Sequence, residues 1–239
     1  FRANIPVGDY FEQMSKTSAE AGSVEQKISD LYKMGLDEER LNREGAEPTR
    51  ASVAELLAMT EREQIIGSIA RLHTDGIGIF FAAYPAADLM DSNMTILYME
   101  QGGLGMGNRD YYVDEKNADK KAAYRTYLEK LFTLAGVEGD VKKMVDDVVA
   151  IEDSIAAKHW TNVECRDIQK GYNPFTYADF KAQYPTVDWD AYFKPLELKA
   201  EDKIVVSQPS SFANILAVLE TADVEALRHY LAAPYINPA

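Results

Sequence analysis

The sequence has little of what several common protein classes require. Its 239 residues include one cysteine, Cys165, so the chain can form no internal disulfide and no zinc cluster built from cysteines alone. No apolar run comes close to the ~20 residues that cross a bilayer. The opening residues FRANIPVGDY lack the basic start, apolar run and cleavage site of a signal peptide. We therefore expect no transmembrane segment, no disulfide scaffold and no visible export signal.

Positive charge is also scarce. The chain has 25 Lys and Arg against 39 Asp and Glu, which gives a formal net charge of −14. An acidic chain repels the phosphate backbone of DNA and RNA, and no local basic patch offsets this repulsion. The sequence therefore predicts no nucleic-acid partner.

What is present is ordinary globular composition. Apolar residues make up 46% of the chain and charged residues 27%, which is enough apolar side chain for a core. Apolar residues recur at helical spacing along most of the sequence. We predict a mainly α fold, a multi-helix domain with one short antiparallel β-strand pair. The predicted single domain covers residues 1–239, with a leading helix or arm at 1–22 and a β-hairpin element at 77–99.

Helix ends are predicted from capping chemistry. Thr60 followed by Glu63 has the pattern of a capping box at the start of a helix. Gly76 and Gly136 each follow an amphipathic stretch and are expected to end helices. Thr176 is expected to cap a short helix.

Two runs of β-branched and aromatic residues, Ile77–Tyr84 and Thr95–Met99, are typical of strands. The stretch between them contains Pro85 and Asn93, which favours an antiparallel pair with a long connection. Ile204–Val206 is predicted to be a brief extended segment.

A glycine-rich stretch follows the second predicted strand, with Gly102, Gly103, Gly105 and Gly107. Neither G-x-G-x-x-G nor G-x-x-x-x-G-K-[ST] fits it in any register, and no helix is expected directly after it. We interpret the stretch as structural, a tight passage of the backbone past the core.

The three histidines are His73, His159 and His229, separated by 86 and 70 residues. None has a second His, Cys or carboxylate at the spacing of a helical metal site with apolar flanks, so only assembly in space would make a zinc site. His73 and His229 are expected at helix ends or faces. His159, next to Trp160, is expected to pack or hydrogen-bond locally.

Other reactive side chains also favour a structural interpretation. A catalytic Cys165 would need a histidine partner that the sequence does not identify, so a free structural cysteine is the preferred interpretation. The acidic pairs at residues 146–147 and 152–153 are expected on the solvated face of a helix. As a self-contained enzyme, the chain shows no catalytic centre.

One segment, Ile96–Val113, reads ILYMEQGGLGMGNRDYYV. It resembles the neprilysin and endothelin-converting-enzyme family of zinc metallopeptidases, whose members carry a similar Gln, then Gly-Leu-Gly, then Arg-Asp-Tyr-Tyr. Segments Gln26–Pro48, Ile151–Thr176 and Phe212–Tyr230 agree with the family in order and spacing. The resemblance extends from about Val24 to the end of the chain.

The resemblance implies a division of the protein into two parts. Family members hold zinc with His-Glu-x-x-His on one helix and Glu-x-x-x-Asp on another, both far toward the C-terminus, and no His-Glu pair occurs here. The chain thus looks like the N-terminal cap-domain fragment of a zinc metalloendopeptidase that cleaves short peptides. The implied partners are the missing C-terminal zinc domain of the same polypeptide and the peptide substrates. The fragment is expected to have no catalytic residue, to bind no zinc and to be inactive alone.

The same resemblance suggests one substrate contact and a location. Family members use arginines ahead of the first long helix to hold the C-terminal carboxylate of the substrate, and Arg2 falls near that position. The residues after Arg2 depart from the family pattern, and a terminal arginine without a substrate role is the alternative. A single cysteine fits a bacterial member similar to endopeptidase O, which implies a periplasmic, secreted or cell-envelope location and a targeting segment outside this chain.

A second hypothesis comes from a different functional class. The chain could be a stand-alone helical protein-interaction module with no enzymatic activity. The last helical pattern is still unfinished at Asn237, which favours a fragment. The downstream reading frame separates the two hypotheses, since a peptidase would continue into His-Glu-x-x-His.

Overall fold

The computed structural model describes residues 7–237, and the chain divides between Pro48 and Thr49 into two compact units. About 60% of the chain is helical, and a small mixed sheet lies in the second unit. The predicted mainly α fold with a minor β element is therefore confirmed. That residues 1–239 form one cap domain stays a prediction.

The N-terminal unit consists of short helices. They are α1 (Val7–Ser15), α2 (Val24–Gly35) and α3 (Glu38–Glu44). The Ser23 hydroxyl caps α2 by accepting the Gln26 N–H at 3.1 Å. The rings of Phe11 and Tyr32 lie 6.3 Å apart. Most apolar side chains of this unit are nevertheless exposed, including Leu31.

The second unit contains both short and long helices. They are α4 (Glu47–Leu57, which begins before the division), α5 (Arg62–Thr74), α6 (Asp110–Val113), α7 (Ala118–Leu134), α8 (Val141–Ala156), α9 (Ile168–Gly171), α10 (Tyr177–Gln183), α11 (Trp189–Tyr192), α12 (Pro209–Thr221) and α13 (Val224–Ile236). Helix α8 is central, because α6, α7, α12 and α13 all pack against it. None of the helices between residues 7 and 237 combines the length and hydropathy needed to span a bilayer.

The predicted glycine helix ends are present. Gly76 has a φ of +80°, and the following Ile77 N–H returns to the Leu72 carbonyl at 2.8 Å. Gly136 has a φ of +68°, and a similar bond closes the end of α7. These are Schellman motifs, in which glycine adopts the left-handed conformation at no steric cost. Thr176 caps α10 by accepting the Asp179 N–H, as predicted.

The sheet is larger than the predicted strand pair. Its strands are β1 (Phe81–Asp88), β2 (Asp91–Gln101), β3 (Pro174–Thr176) and β4 (Lys203–Val206). Their order is β1-β2-β4-β3, with β2 and β4 parallel and the other neighbours antiparallel. The predicted hairpin at 77–99 is thus shifted to 81–101, and the predicted extended segment at 204–206 pairs with it.

The hairpin differs from the prediction for local reasons. The Ile77 N–H bonds to the last turn of α5, and Phe80 has a φ of +52°. The extended backbone therefore begins only at Phe81. Pro85 does not interrupt β1, because this strand lies at the edge of the sheet and needs no N–H on its open side. The strands therefore continue to a tight turn at Leu89 and Met90 instead of a long connection.

The two faces of the sheet are covered differently. Phe81, Met99 and Val206 point into the main core, which contains an aromatic group formed by Phe180 and Trp189, among others. On the opposite face, Ile96, Tyr98 and Val205 form a separate, smaller buried cluster. A separate cluster lies between α7, α8 and α13. The glycine segment after β2 runs to the edge of α8, where the polar groups described next are found.

Candidate functional site

A buried polar cluster lies where the glycine segment meets α8. The side chain of Glu152 projects from α8 and is 3% exposed. Its Oε1 accepts the Gly105 N–H at 2.9 Å and the Tyr124 hydroxyl at 3.0 Å, and its Oε2 accepts the Tyr112 hydroxyl at 2.9 Å. Because Tyr112 belongs to α6 and Tyr124 to α7, one carboxylate joins three helices and a loop.

The burial of this cluster changes its protonation. Burial raises the pKa of Glu152 to about 7, against the hydrogen bonds from Gly105, Tyr112 and Tyr124, which favour the charged form. Burial, together with the charge of Glu152, also raises the pKa of Tyr112 and Tyr124 well above its usual range. The tyrosines therefore remain donors, while Glu152 exchanges its proton near neutrality.

The glycines of this segment allow close contact. The Tyr230 hydroxyl accepts the Phe80 N–H and donates to the Gly103 carbonyl, both at 2.9 Å. Gly103 has a φ of +82°, and a Cβ atom there would lie 2.7 Å from the Phe80 nitrogen. A Cβ atom at Gly105 would collide with the Tyr124 hydroxyl. The interpretation of the segment as a tight backbone passage is confirmed.

The residues after the glycines also find local partners. Arg109 Nη1 lies 3.4 Å from Asp110 Oδ1. The Asp110 N–H donates to Asn108 Oδ1, and Asn117 Nδ2 donates to the Asp110 carbonyl, each at 2.9 Å. Tyr112 reaches Glu152 as described.

A cavity of about 300 Å³ opens beside the cluster and is bounded in part by Gly103, Tyr124, Glu152, Tyr230 and Pro234. The groups that face the carboxylate are hydroxyls and a backbone amide, all of which donate to it. This arrangement can hold a proton and fix the glycine segment. Its chemistry is that of a structural acid.

The expectation that the pair at 152–153 lies on a solvated face is wrong for Glu152. Glu152 follows Val145 and Val148 by seven and four residues and precedes Ile155 by three, so it lies on the buried stripe of α8. The same spacing in the sequence could have identified it as a buried acid. Asp153 is on the outer side and pairs with Lys121.

The histidines lie in separate local environments. His73 Nδ1 lies 2.6 Å from the Tyr192 hydroxyl, and His229 Nδ1 lies 2.7 Å from Asp147 Oδ2. Burial lowers the pKa of His159 to about 4, so this ring is neutral at physiological pH. Within residues 7–237, no group of three or more His, Cys, Asp or Glu side chains could hold a metal ion.

Cys165 is a free, exposed cysteine whose Sγ lies 3.5 Å from Gln101 Nε2. Partial burial, with the charges of Glu100 and Glu164, raises the pKa of this thiol, so it is mostly protonated at neutral pH. Arg2 lies outside the described residues, and its predicted substrate contact stays a prediction.

Comparison with known sequences gives one family. Residues 3–238 match the sequence model of the N-terminal domain of peptidase family M13. Rat endothelin-converting enzyme 1 is 24% identical over 235 residues, a stretch that covers 91% of this chain and 30% of that enzyme.

Comparison with solved structures agrees with the comparison of sequences. The crystal structure of the Mycobacterium tuberculosis zinc metalloprotease Zmp1 with an inhibitor matches with a TM-score of 0.85 and 28% identity, over 95% of this chain and 35% of that one. PepO from Lactobacillus rhamnosis shares the fold, with a TM-score of 0.77 and 20% identity over 99% of this chain and 40% of PepO. The chain thus spans about a third of the length of the relatives it matches.

Proposed function

The chain belongs to peptidase family M13, and from this we propose that it is the N-terminal helical region of a zinc-dependent metalloendopeptidase that cleaves short peptides. The observation that carries the proposal is the match of nearly the whole chain to the zinc metalloprotease of M. tuberculosis. In the proposed enzyme, this region covers the active site and restricts the size of the substrate. It contributes by limiting access of bulk water and of large substrates.

We assign the zinc and the catalytic groups to a C-terminal domain of the same polypeptide. A catalytic zinc needs about three protein ligands and a general base beside the bound water. The residues described here do not supply such a donor set. The proposal therefore gives this chain no step of the hydrolysis itself.

Arg2 is the proposed substrate contact. A guanidinium can hold the free C-terminal carboxylate of a peptide through two parallel hydrogen bonds. In the full-length enzyme, we expect Arg2→Ala to raise KM for peptides with a free carboxylate and to leave KM for C-terminally amidated peptides nearly unchanged. An equal effect on both substrates would remove Arg2 from the site.

We further propose a periplasmic, secreted or cell-envelope location for the parent enzyme. The resemblance to bacterial endopeptidases and the single cysteine support this location. Fractionation of cells that express the full-length gene, followed by detection with an antibody against this region, tests it.

The function is tested by comparing the full-length enzyme with this chain. We expect the full-length enzyme to cleave a short fluorogenic peptide in a chelator-sensitive manner and to leave folded proteins intact. This chain alone should cleave nothing and should contain far less than one zinc per molecule by metal analysis. Chelator-sensitive cleavage by the chain alone, together with one bound zinc, would overturn the proposal. A reading frame that stops directly after Ala239 would instead favour the interaction module.

A further inference from the structure

The face of the sheet opposite the main core carries a pair of stacked tyrosines beside a carboxylate. Tyr84 of β1 and Tyr98 of β2 are direct partners across the hairpin, with ring centroids 5.9 Å apart and an angle of 15° between the planes. Glu100 follows Tyr98 by two residues and therefore lies on the same face. The Tyr84 side chain is 37% exposed, so its ring is accessible from outside.

These residues line a surface pocket of about 250 Å³. Its wall includes Asp167 and the exposed Ile168 at the start of α9, and Ser207 and Gln208 follow β4. Sites for whole small molecules usually have volumes of about 300–1,000 Å³. The pocket is therefore of a size to receive one side chain.

Only one of the two oxygens of the carboxylate in this pocket accepts hydrogen bonds from the described residues. Glu100 Oε1 accepts the Tyr84 hydroxyl at 2.6 Å and the Ser207 hydroxyl at 3.4 Å. Among the hydrogen bonds and ion pairs of residues 7–237, none involves Glu100 Oε2 or joins Glu100 to a cation. Lys170, which precedes the lining residue Gly171 in the sequence, pairs with Glu164 at 2.8 Å and lies 4.2 Å from the centre of the Trp160 ring.

We propose that this pocket binds the arginine side chain of a peptide. A guanidinium can donate a pair of hydrogen bonds to the carboxylate of Glu100 and place its flat face on the exposed ring of Tyr84. The acidic side chain of Asp167 at the rim adds attraction for a cation. A lysine ammonium can contact a carboxylate and an aromatic ring together, as Lys170 does with Glu164 and Trp160, but it cannot form the two parallel hydrogen bonds of a planar guanidinium. The site goes beyond the proposed function, because recognition of arginine here requires no hydrolysis.

The proposal is tested by nuclear magnetic resonance titration of the ¹⁵N-labelled chain with N-acetyl-arginine amide. The neutral analogue N-acetyl-citrulline amide has nearly the same shape and serves as the matched ligand. We expect saturable shifts of the Gln101, Cys165 and Ser207 amides with the arginine derivative. Binding of the citrulline derivative should be weaker by on the order of tenfold, since it lacks the charge. Equal binding of both ligands, or no saturable shift with arginine, would overturn the proposal.

Two variants assign the binding to individual residues. Glu100→Gln should weaken arginine binding by on the order of tenfold, and Tyr84→Leu by several-fold through loss of the aromatic face. Glu164→Gln removes a nearby carboxylate that already pairs with Lys170, and it should leave binding unchanged. If Glu100→Gln disturbs the fold, Tyr84→Leu tests the site alone, because its side chain is partly exposed. Unchanged binding in Tyr84→Leu, or a lysine derivative that binds as tightly as arginine, would refute the guanidinium site.

Discussion

The two units use the same helical pattern with different results. In the N-terminal unit, Val24 and Leu31 lie on the apolar face of α2, yet they are 66% and 71% exposed. Ser29 is the one buried residue among the described side chains of that unit. In the second unit, Val145 and Val148 occupy an equivalent stripe on α8 and are fully buried. Amphipathic spacing thus determines that a helix forms, while burial depends on whether a second apolar surface is available.

This difference in burial predicts that the helices of the two units are stabilised in different ways. Helices of the second unit are held by the packing of apolar side chains, which contributes most of the stability of a folded domain. Helix α2 relies on its cap, its backbone hydrogen bonds and a few local contacts, which open at low free energy. The following predictions test this comparison.

The largest effect is expected in the aromatic core. Trp189 is 2% exposed and contacts Phe180 and Phe212. Trp189→Ala should lower the free energy of unfolding by about 3–5 kcal/mol, because it removes a large buried side chain and leaves a cavity. Leu31→Ala, the matched change on the exposed face of α2, should alter it by less than about 0.5 kcal/mol. Urea unfolding followed by circular dichroism measures both, and similar losses would contradict the comparison.

Two glycines with the same backbone angle give a second test. Gly103 and Gly22 both have a φ of +82°, but a Cβ atom at Gly22 meets nothing within 4 Å. Gly22→Ala should therefore cost only the backbone strain of about 1–2 kcal/mol, confined to the N-terminal unit. Gly103→Ala adds overlap with the backbone of Phe80 and should cost more, about 2–4 kcal/mol. Thermal unfolding of the two variants distinguishes backbone strain from steric crowding. Equal decreases in unfolding temperature would mean that a small movement relieves the crowding at Gly103.

Several helix ends can be predicted from the residues next to them. The start of α5 cannot, because it also depends on a contact with a distant part of the chain. The glycine ends at Gly76 and Gly136 depend only on neighbouring residues. The capping box of α5, however, is formed by Glu61 and Gln64, one residue later than the predicted Thr60 and Glu63. Arg62 anchors the helix start by donating to the carbonyls of two residues near the end of α12. No local pattern contains that contact.

The same limit applies to the sheet and to the buried acid. The extended segment at 204–206 was predictable from its β-branched residues, but its parallel pairing with β2 joins residues more than 100 positions apart. Adjacent acids suggest a polar face, which predicts that Glu152 is solvated like its half-buried neighbour Asp153. The helical spacing places Glu152 with Val148 and Ile155 instead.

The third prediction concerns pH. The pKa of Glu152 is about 7 in the folded state and about 4.5 ordinarily, so the folded state binds the proton more tightly. Its contribution is most favourable below pH 4.5, decreases as the pH rises and reaches its lowest value above pH 7, a change on the order of 3 kcal/mol. Glu152→Gln cannot lose a proton, so the difference in unfolding free energy between this variant and the native chain should change across that window. Urea unfolding at a series of pH values measures it.

Glu12 in the N-terminal unit is the control for this titration. Its carboxylate is exposed and pairs with Lys16, which lowers the pKa of Glu12. A lowered pKa contributes stability above the ordinary value, and this is lost as the pH falls, so the sign is opposite to that of Glu152. Glu12→Gln should leave the pH dependence almost unchanged because solvent screens the pair. A pH profile of Glu152→Gln that parallels the native profile would show that Glu152 does not titrate in this range.

The smallest change in stability is expected from the loss of a helix cap, and it differs between two caps of the same kind. The Thr176 hydroxyl accepts the Asp179 N–H at 3.1 Å at the start of α10, whose Phe180 lies in the core. Thr176→Ala should cost about 1 kcal/mol, and the main unfolding temperature should fall by about 2–4 °C because α10 unfolds with that core. Ser23→Ala removes the same type of bond from α2 and should instead accelerate hydrogen exchange at the Gln26 amide without moving the main transition. A shift of the main transition by Ser23→Ala as large as that by Thr176→Ala would mean that α2 unfolds together with the core, and exposure of its apolar face would then be a poor guide to its stability.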